Sequence, residues 1–218
     1  CKALAHNLNL PAEDFQQSLK IFILLLIEKN MKIGDAIKSR KSIRNFSLEK
    51  PNWRSIIEAI DYARFAPLAG NINTVRFILV KDATKIEKIK GACQQDFVGK
   101  APFVVVVVSE TARVVKSYGE FGEKFSRQQA GAAIENFLLG LTERDLGTCW
   151  VGYFDEPMVR NILGIPEICN VEGIFPIGIV ARVKEAPKEK ADLENVLYYD
   201  SWKNKYMEPK TRITTQNI

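Results

Sequence analysis

The sequence predicts an α+β or α/β sandwich, in which helices and strands alternate around one hydrophobic core. Three short apolar stretches rich in β-branched residues predict strands: VRFILV at 75–80, APFVVVVVSE at 101–110 and GIFPIGIVARV at 173–183. The second contains five consecutive valines, which is typical of a strand buried on both faces of a sheet. Pro176, near the start of the third, predicts an edge strand or a strand beginning there. A chain of 218 residues is long enough to bury one sizeable core.

Two helices are predicted before the first strand, over residues 31–40 and 51–67. The first is short and amphipathic, and the second is bounded by prolines. Both place apolar residues at helical spacing. These residues are Ile33, Ala36 and Ile37 in the first helix and Ile56, Ile57, Ile60 and Ala63 in the second.

Two more helices are predicted between the second and third strands. The segment QQAGAAIENFLLGLTERDLGTCW begins with small residues and continues with large apolar ones, which predicts a long, largely buried helix. We expect this helix to end at Gly147 in a left-handed conformation. The segment DEPMVRNILG predicts a capped helix, with Asp155 as N-cap, Pro157 in the first turn and Gly164 after the end.

The composition argues against several classes of function. The formal net charge of +5 is too small and too scattered to indicate a nucleic-acid partner. The four cysteines form no CxxC pair, and the single histidine, His6, lies near the N-terminus, so no zinc-site spacing is present. Free thiols are typical of a reducing compartment, and we expect a cytoplasmic protein. The apolar run at 21–27 is too short to span a membrane.

Three parts are predicted along the chain. Residues 1–30 are expected to form an N-terminal extension with a helix over 13–29, residues 31–202 the functional domain, and residues 203–218 a C-terminal tail. No internal repeat or low-complexity linker separates them.

The usual constellations of catalytic side chains are missing from the sequence. There is no Ser-His-Asp or Cys-His arrangement, no GxxxxGK[ST] phosphate loop and no GxGxxG turn. Three carboxylates, Glu110, Asp155 and Glu156, are interpreted more simply as helix caps or solvated charges than as acid–base groups. If the chain is an enzyme, the hard chemistry is therefore expected to belong to a cofactor.

The stretch SRKSIRNF crowds cations around a hydroxyl group. Arg40 offers a planar fork, Lys41 or Arg44 a point charge and Ser42 a hydroxyl donor, which together suit a phosphate monoester. In a strand, Arg40, Ser42 and Arg44 share one face by two-residue alternation. The alternative is a solvated basic patch between two helices.

Two other stretches carry groups that suit a flat heteroaromatic ligand. APLAGNINTVRF, at 66–77, contains two carboxamides, Asn71 and Asn73, and each offers a donor together with an acceptor. LGTCWVGYF contains Gly147 and Gly152, where backbone amides can approach a flat ligand closely. Taken alone, each stretch is also explained as an ordinary loop.

In this order, the motifs SRKSIRNF, APLAGNIN, QAGAAIENFLLGLTERDLGTCWVGYF and LGIPE resemble the nitroreductase family of FMN-dependent oxidoreductases, from about Met31 to Trp202. The resemblance implies an α+β fold: an α/β/α sandwich with a central, mostly antiparallel sheet, in an intertwined homodimer. It also implies two FMN molecules at the subunit interface. Residues 31–202 are then a nitroreductase-like FMN-binding domain.

The resemblance implies a set of cofactor-binding residues in four groups. The group that binds the phosphate and the flavin is Arg40, Lys41, Ser42 and Arg44. The group that passes the flavin ring is Pro67, Leu68, Asn71 and Asn73, and the backbone amides of Val151 and Gly152 face the reactive nitrogen side of the ring. Lys188 and Lys190 stand where the family often has an arginine for the phosphate. The chain departs from the family at Asn73, where Gln is common, at Gln129, where many members have Asp, and at Thr74-Val75, which replaces Pro-Trp.

The implied reaction is a ping-pong transfer of hydride from NADH or NADPH through FMN to a small-molecule acceptor such as a nitroaromatic, a quinone or a flavin. No catalytic side chain, metal, nucleic acid or membrane is implied. Two alternatives remain open: specialised flavin chemistry on the same fold, such as dehalogenation or flavin fragmentation, and a non-catalytic flavin-binding protein.

The segment ARVVKSYGEFGEKFSRQQ, at 112–129, interrupts its helical pattern at Gly119 and Gly122. Its aromatic residues, Tyr118, Phe121 and Phe125, are expected either to form a lid over the ring or to pack on the partner subunit.

Overall fold

A computed structural model of the chain describes residues 31–181 and 190–207. The chain divides into two units after Arg182, and the two described stretches are therefore treated separately. The extension 1–30 with its predicted helix, Lys188 and the end of the tail at 208–218 lie outside the described residues. The elements are α1 (Ile33–Ser39), α2 (Trp53–Ala63), β1 (Val75–Val80), α3 (Ala83–Cys93), α4 (Asp96–Gly99), β2 (Phe103–Glu110), α5 (Ala112–Tyr118), α6 (Phe121–Glu143), β3 (Leu146–Thr148), α7 (Glu156–Leu163), β4 (Cys169–Ile179) and α8 (Leu193–Val196).

The four strands form one sheet in the order β1-β2-β4-β3. β1 is antiparallel to β2, with Val75 opposite Ser109. β2 is antiparallel to β4, with a register shift between Val107 and Val108, and β3 is antiparallel to β4. Every strand of the sheet therefore runs antiparallel to its neighbours, which confirms the predicted α+β class.

The valines of β2 alternate between the two faces of this sheet. Val105 and Val107 pack into one core with α2 and α6. Val104, Val106 and Val108 pack into a second core with α3, α4 and α7. All of them are at most 4% exposed, which confirms a strand buried on both faces. Because helices cover each face, the layers are those of an α/β/α sandwich.

The local signals around α7 are confirmed in full. The Asp155 side chain accepts a hydrogen bond of 2.9 Å from the Met158 amide, and Pro157 lies in the first turn. Gly164 follows the helix in the left-handed conformation, with φ of +68°. These features were predictable because each capping interaction forms within one turn of the chain.

The predicted end of the long helix is wrong. α6 ends at Glu143, and the left-handed residue is Asp145, with φ of 54°. Gly147 instead lies in β3 and pairs with Gly178. A Cβ atom at Gly147 would lie 2.8 Å from a methyl carbon of Ile43, so this glycine is explained by close packing and not by a helix cap.

The predicted edge position of Pro176 is also wrong. Pro176 lies inside β4, which runs between β2 and β3. The register that pairs Gly178 with Gly147 places Pro176 opposite Cys149 when it is continued along both strands. Because proline has no N–H to donate, the ladder is interrupted at this point, and pairing resumes only at the isolated bridge of Val151.

The apolar sides of α1 and α2 pack only in part within the chain. Ala36 is buried in α1, but Ile33 and Ile37 are 68% and 56% exposed. In α2, Ile56 is fully buried and Ile57 is 45% exposed. Both predicted helices are confirmed.

In residues 190–207, α8 is followed by a turn that carries three interacting side chains. The Tyr198 and Trp202 rings meet edge to face with centroids 4.8 Å apart. The Lys205 ammonium lies 4.2 Å from the centre of the Tyr198 ring. None of the helices in the two described stretches is long and apolar enough to cross a membrane.

Candidate functional site

The cation-rich segment after α1 runs beside β3 and the end of β4. Ser42 forms a parallel bridge with Thr148, and the Ile43 amide donates a hydrogen bond of 2.8 Å to the Thr148 carbonyl. Phe46 forms an antiparallel bridge with Val180. Ile43 is buried, so its side chain anchors the segment while Ser42 stays partly accessible. This arrangement pairs the predicted phosphate segment with Thr148, the last residue of β3, which precedes Val151 by three residues in the chain.

The arginines of this segment point to different parts of the fold. The Arg40 Nε lies 3.4 Å from a carboxylate oxygen of Glu135, on α6. The Arg44 guanidinium lies over the ring of Phe97, on α4, with its carbon 5.7 Å from the ring centroid. Because α6 and α4 cover opposite faces of the sheet, the predicted shared face of Arg40, Ser42 and Arg44 is not formed. Arg40 is still the C-cap residue of α1, where strand alternation does not apply.

Two polar groups, at Thr148 and at Gly152, lack hydrogen-bond partners in the part of the chain that the structure describes. The Thr148 hydroxyl is buried and makes no hydrogen bond there. The Gly152 amide likewise has no hydrogen-bond partner among the described residues, and Gly152 is exposed. Buried polar groups are normally satisfied, so such an orphan hydroxyl next to a cation-rich segment fits a polar ligand that supplies the missing partner.

Val151, the other residue expected to present its amide, is bound into the sheet. Its N–H donates to the Ile174 carbonyl at 2.9 Å, and the Ile174 N–H donates back to the Val151 carbonyl at 3.1 Å. The neighbouring Trp150 indole donates to the Glu172 carbonyl at 3.2 Å. The two side-by-side anchors fix the position of the chain at Gly152, which leaves Gly152 as the amide donor of this segment.

The second predicted segment forms a tight turn that only a small residue permits. Residues Ala69–Asn71 make one turn of 3₁₀ helix, in which Gly70 and Asn71 both have φ of 57°. A Cβ atom at Gly70 would lie 2.6 Å from the Tyr118 hydroxyl oxygen. The positive φ and this close approach together explain the glycine. Tyr118 of the expected lid thus lies against the turn.

A buried carboxamide on α6 holds this turn. Gln129 Oε1 accepts a hydrogen bond of 3.1 Å from the Ala69 amide, and Gln129 Nε2 donates to the Ile72 carbonyl at 3.2 Å and to the Thr74 hydroxyl. The Thr74 hydroxyl lies 3.3 Å from the Ser126 hydroxyl. Sequence reasoning noted Gln129 only as a departure from the family and missed Thr74 and Ser126 as its partners. No local pattern marked these contacts, because their partners lie 52 to 60 residues apart in the sequence.

The Asn73 carboxamide has a local role in the structure. Its Oδ1 accepts a hydrogen bond of 3.0 Å from the Val75 amide and so caps the beginning of β1. Asn73 and Asn71 are both exposed, as is Pro67, while Leu68 is partly buried. The segment therefore offers accessible groups on its outer side, and the Asn73 Nδ2 remains as a donor.

Concave surfaces lie on both sides of this turn. One is formed between α2, α6 and β1, and Leu68, Asn73 and Phe77 are among its lining residues. The other lies between the turn and α6, and Leu68 and Phe125 line it. Tyr118 meets Phe125 edge to face at 5.3 Å, and Phe121 stacks on Phe125 at 6.0 Å. The expected lid residues therefore form one aromatic cluster beside the second surface.

The carboxylates set aside in the sequence have structural partners. Asp155 caps α7, and Glu156 binds Arg160 as well as the Val171 amide. Glu110 forms an ion pair of 3.0 Å with Arg76. The cap at Asp155 is thus confirmed, whereas Glu110 and Glu156 are paired charges and not simply solvated ones.

The cysteines are likewise inert in their surroundings. Cys93, Cys149 and Cys169 are free and buried, which confirms free thiols at these three positions. Burial raises the pKa of the Cys93 thiol to about 12 and also raises the pKa of Cys169. No group of three or more metal-ligating side chains occurs within the described ranges.

The two site segments lie against different sides of α6. The turn at Ala69 binds Gln129, and Arg40 binds Glu135, six residues further along the helix. This spacing corresponds to about 9 Å along the helix axis and about 120° around it. Lys190 is exposed in the second described stretch, and Lys188 lies outside the described residues.

The fold is a three-layer α+β sandwich, and its cation-rich segment pairs with β3 through the Ser42–Thr148 bridge. The model of the nitroreductase family matches the chain over residues 37–95 and 87–179, which is more than half of its length. The chain therefore belongs to the nitroreductase family.

The similar proteins carry the names of different activities. An iodotyrosine deiodinase of Thermotoga neapolitana is 25% identical over 164 residues, which cover 66% of this chain and 86% of the relative. A protein of Archaeoglobus fulgidus, provisionally named an NADH dehydrogenase/NAD(P)H nitroreductase, is 29% identical over 161 residues, 72% of this chain and 86% of the relative.

Among solved structures, the fold matches a crystal structure of oxidized iodotyrosine deiodinase bound to FMN and 3-iodo-L-tyrosine. The TM-score is 0.64 at 24% identity, and the match covers 73% of this chain and 96% of that chain. The fold is thus that of nitroreductase-like proteins, which confirms the predicted architecture.

Proposed function

We propose that this protein is an FMN-dependent oxidoreductase that passes hydride from NADH or NADPH through FMN to a small-molecule acceptor such as a nitroaromatic, a quinone or a flavin. The observation that carries the proposal is the Ser42–Thr148 bridge, which joins the cation-rich segment to β3, four residues before Gly152 in the chain. Family membership supports it, as do the FMN in the iodotyrosine deiodinase structure and the name of the Archaeoglobus relative.

The residues present suit FMN at several points. Arg40, Lys41 and Ser42 supply charge and a hydroxyl for its phosphate, and Arg44 adds a cation after leaving the Phe97 ring. We propose that Lys188 and Lys190 add further positive charge. The orphan Thr148 hydroxyl gives the polar part of the cofactor another partner.

The flat ring of FMN suits the remaining residues. The turn at Pro67, Leu68 and Asn71 is proposed to pass the ring by backbone contact, with Asn73 donating from Nδ2. The Gly152 amide, whose position Val151 anchors in the sheet, is proposed to face the ring's reactive edge. Bound FMN would supply the centre that accepts and returns hydride, while the chain's residues bind and orient it and water provides protons.

A second copy of the chain is proposed to complete the site. The cation segment and the Pro67 turn bind different sides of α6, so one ligand reaches both more readily if they come from two subunits. The chain also exposes an apolar surface, and Ile33, Tyr62 and Phe65 line one concave part of it. Burying such a surface favours association. We therefore propose a homodimer, and the three buried free thiols support a reducing compartment, the cytosol.

Reductive dehalogenation is the second candidate function. It is favoured by the similarity to the Thermotoga iodotyrosine deiodinase, over 66% of this chain. A halogenated phenol would then take the place of the nitroaromatic or quinone acceptor. Turnover of 3-iodo-L-tyrosine by the reduced protein, at a rate above that of nitroaromatics and quinones, would favour this candidate.

The test begins with the absorption spectrum of the purified protein, before and after incubation with excess FMN. We expect a yellow protein whose flavin absorbance is bleached anaerobically by NADH or NADPH and restored by an added nitroaromatic or quinone. A protein that takes up no FMN would contradict the proposal. A protein that binds FMN but is bleached by neither nicotinamide would also contradict the proposal, because neither NADH nor NADPH would then be its hydride donor.

A further inference from the structure

The carboxamide of Gln129 is the most fully used polar side chain near the site. Gln129 is only 4% exposed, and both ends of its amide are engaged. The oxygen accepts from the Ala69 amide, and the nitrogen donates to the Ile72 carbonyl and the Thr74 hydroxyl. One side chain thus binds the turn before and after its central residues.

Of those central residues, Asn71 is in a backbone conformation that carries a cost. Gly70 and Asn71 both have φ of 57°, and a left-handed residue other than glycine costs on the order of 1 kcal/mol. Within the turn, the Ile72 amide donates to the Ala69 carbonyl at 3.0 Å. A strained turn persists when its surroundings hold it, and Gln129 supplies that hold from a helix that is itself packed in the core.

We infer that Gln129 is a positioning residue for the cofactor: it sets the shape of the Pro67–Asn73 segment without touching FMN itself. The inference rests on the proposed function, because it takes this segment as part of the FMN site. A carboxamide meets the requirement because the turn presents one donor and two acceptors to a single buried position. An ionised carboxylate of the same shape can only accept hydrogen bonds. It would therefore leave the Ile72 carbonyl without a donor, although the Thr74 hydroxyl could still donate to it.

The sharpest test is Gln129→Glu, with the dissociation constant of FMN measured by fluorescence from pH 5 to pH 9. Burial raises the pKa of a carboxyl group, so at pH 5 the new side chain is protonated, and its O–H donates while its carbonyl oxygen accepts. We expect FMN affinity within about threefold of the wild type at pH 5 and at least tenfold weaker at pH 9. Low pH is thus expected to restore the FMN affinity of the variant. A loss of packing alone would not depend on pH in this way.

The groups around Gln129 allow the pH dependence to be assigned to the substituted side chain. The groups in hydrogen-bond contact with Gln129 belong to Ala69, Ile72 and Thr74, none of which titrates. Tyr118 of α5 lies against the turn, and Glu123 and Arg127 pair on α6 itself at 3.9 Å. These groups and the FMN phosphate are the same in wild type and variant, so their titration cancels when the two affinities are compared at each pH.

Gln94→Glu is the matched control, since it introduces the same charge at an exposed position directly after α3, which covers the other face of the sheet. We expect its affinity to follow that of the wild type across the whole range. If Gln129→Glu does not fold, Thr74→Val serves instead. It removes one acceptor of the carboxamide at a position that is 1% exposed, and FMN binding should weaken about threefold or more.

The outcomes separate the inference from the proposed function. Wild-type binding of FMN together with a Gln129→Glu profile like that of the wild type would overturn the inference and leave the function standing. A loss that is equal at every pH would also overturn it, because it would indicate lost packing. With Thr74→Val as the only folded variant, unchanged affinity would do the same. A wild type that binds no FMN would overturn both.

Discussion

At the scale of single residues, the site is held by short polar contacts whose partners are far apart in the sequence. Arg40 contacts Glu135, and Gln129 contacts Ala69, 60 residues away. Arg40 is expected to bind the phosphate through guanidinium nitrogens other than its paired Nε. Its role in binding and its role in stability are therefore separable by substitution.

Arg40→Ala should release FMN while leaving the fold nearly unchanged. Loss of a charge-assisted hydrogen bond costs about 1.5–3 kcal/mol, so the dissociation constant should rise about 10- to 150-fold. The ion pair with Glu135 is partly exposed and contributes about 1 kcal/mol or less to stability. Fluorescence titration and urea unfolding measure the two effects.

Arg54→Ala is the control for this substitution, since Arg54 is an exposed arginine whose guanidinium carbon lies 4.9 Å from the Trp53 ring centroid, away from the site segments. It should retain FMN as the wild type does. Equal FMN affinity in Arg40→Ala and wild type would exclude the phosphate role of Arg40.

Cys93 should make the stability of the protein depend on pH above its ordinary pKa. Burial raises the pKa of this thiol from 9.0 to about 12. Below pH 9 both states keep the proton and the contribution is complete, whereas above pH 9 the unfolded chain loses its proton first and stability falls until about pH 12. Between pH 8 and pH 10, the wild type should lose about 1.4 kcal/mol more than Cys93→Ala.

Urea unfolding of both proteins at the two pH values measures this difference. Subtracting the variant removes the contribution of every group that the two proteins share. A difference near zero would mean that the thiolate of Cys93 is tolerated in the folded core.

At the scale of elements, close packing at β3 decides how the cation segment lies. Gly147 leaves room for Ile43, whose amide binds the neighbouring Thr148 carbonyl. Pro176 interrupts the pairing opposite Cys149, and the chain rejoins the sheet at Val151. The loop that carries Gly152 is thus held by pairing on both sides of Pro176, where the hydrogen-bonded ladder is interrupted.

Gly147→Ala should destabilise the protein and loosen the cation segment. The added methyl group would lie 2.8 Å from Ile43, and overpacking of this kind costs about 1–3 kcal/mol. Gly91→Ala in α3 is the control, since its added Cβ would meet only a Met158 methyl at 3.7 Å. It should stabilise by up to about 1 kcal/mol through helix propensity. Thermal unfolding of both variants checks this, and equal effects would contradict the packing role.

At the scale of the whole molecule, one apolar surface is left uncovered by the described chain. Phe65 is 67% exposed and Ile33 is 68% exposed, and both line the same concave surface together with Tyr62. Exposure of several large apolar side chains in one place is typical of an interaction surface. The proposed second copy of the chain would cover it and bring the two site segments together.

Phe65→Asp should weaken self-association and, with it, FMN binding. A charge in an apolar interface must be desolvated without a partner, so the dimer should dissociate at concentrations at least tenfold higher than for the wild type. Analytical ultracentrifugation in the presence and absence of FMN measures this. Leu48→Asp, at an exposed leucine outside the concave surface, is the control. A wild type that is monomeric at every concentration with FMN bound would contradict the proposed dimer.

The sequence by itself determined the features that depend on neighbouring residues: the buried valine strand β2, the caps of α7 at Asp155 and Gly164, and the order of motifs that identified the family. Their physics is local, because strand alternation and capping act within a few residues. Only the tertiary structure decided that Gly147 packs against Ile43, that Pro176 lies inside the sheet and that Gln129 holds the turn at Ala69. These depend on which distant segments meet, and that is settled by the packing of two helical layers on one sheet, which no local pattern encodes.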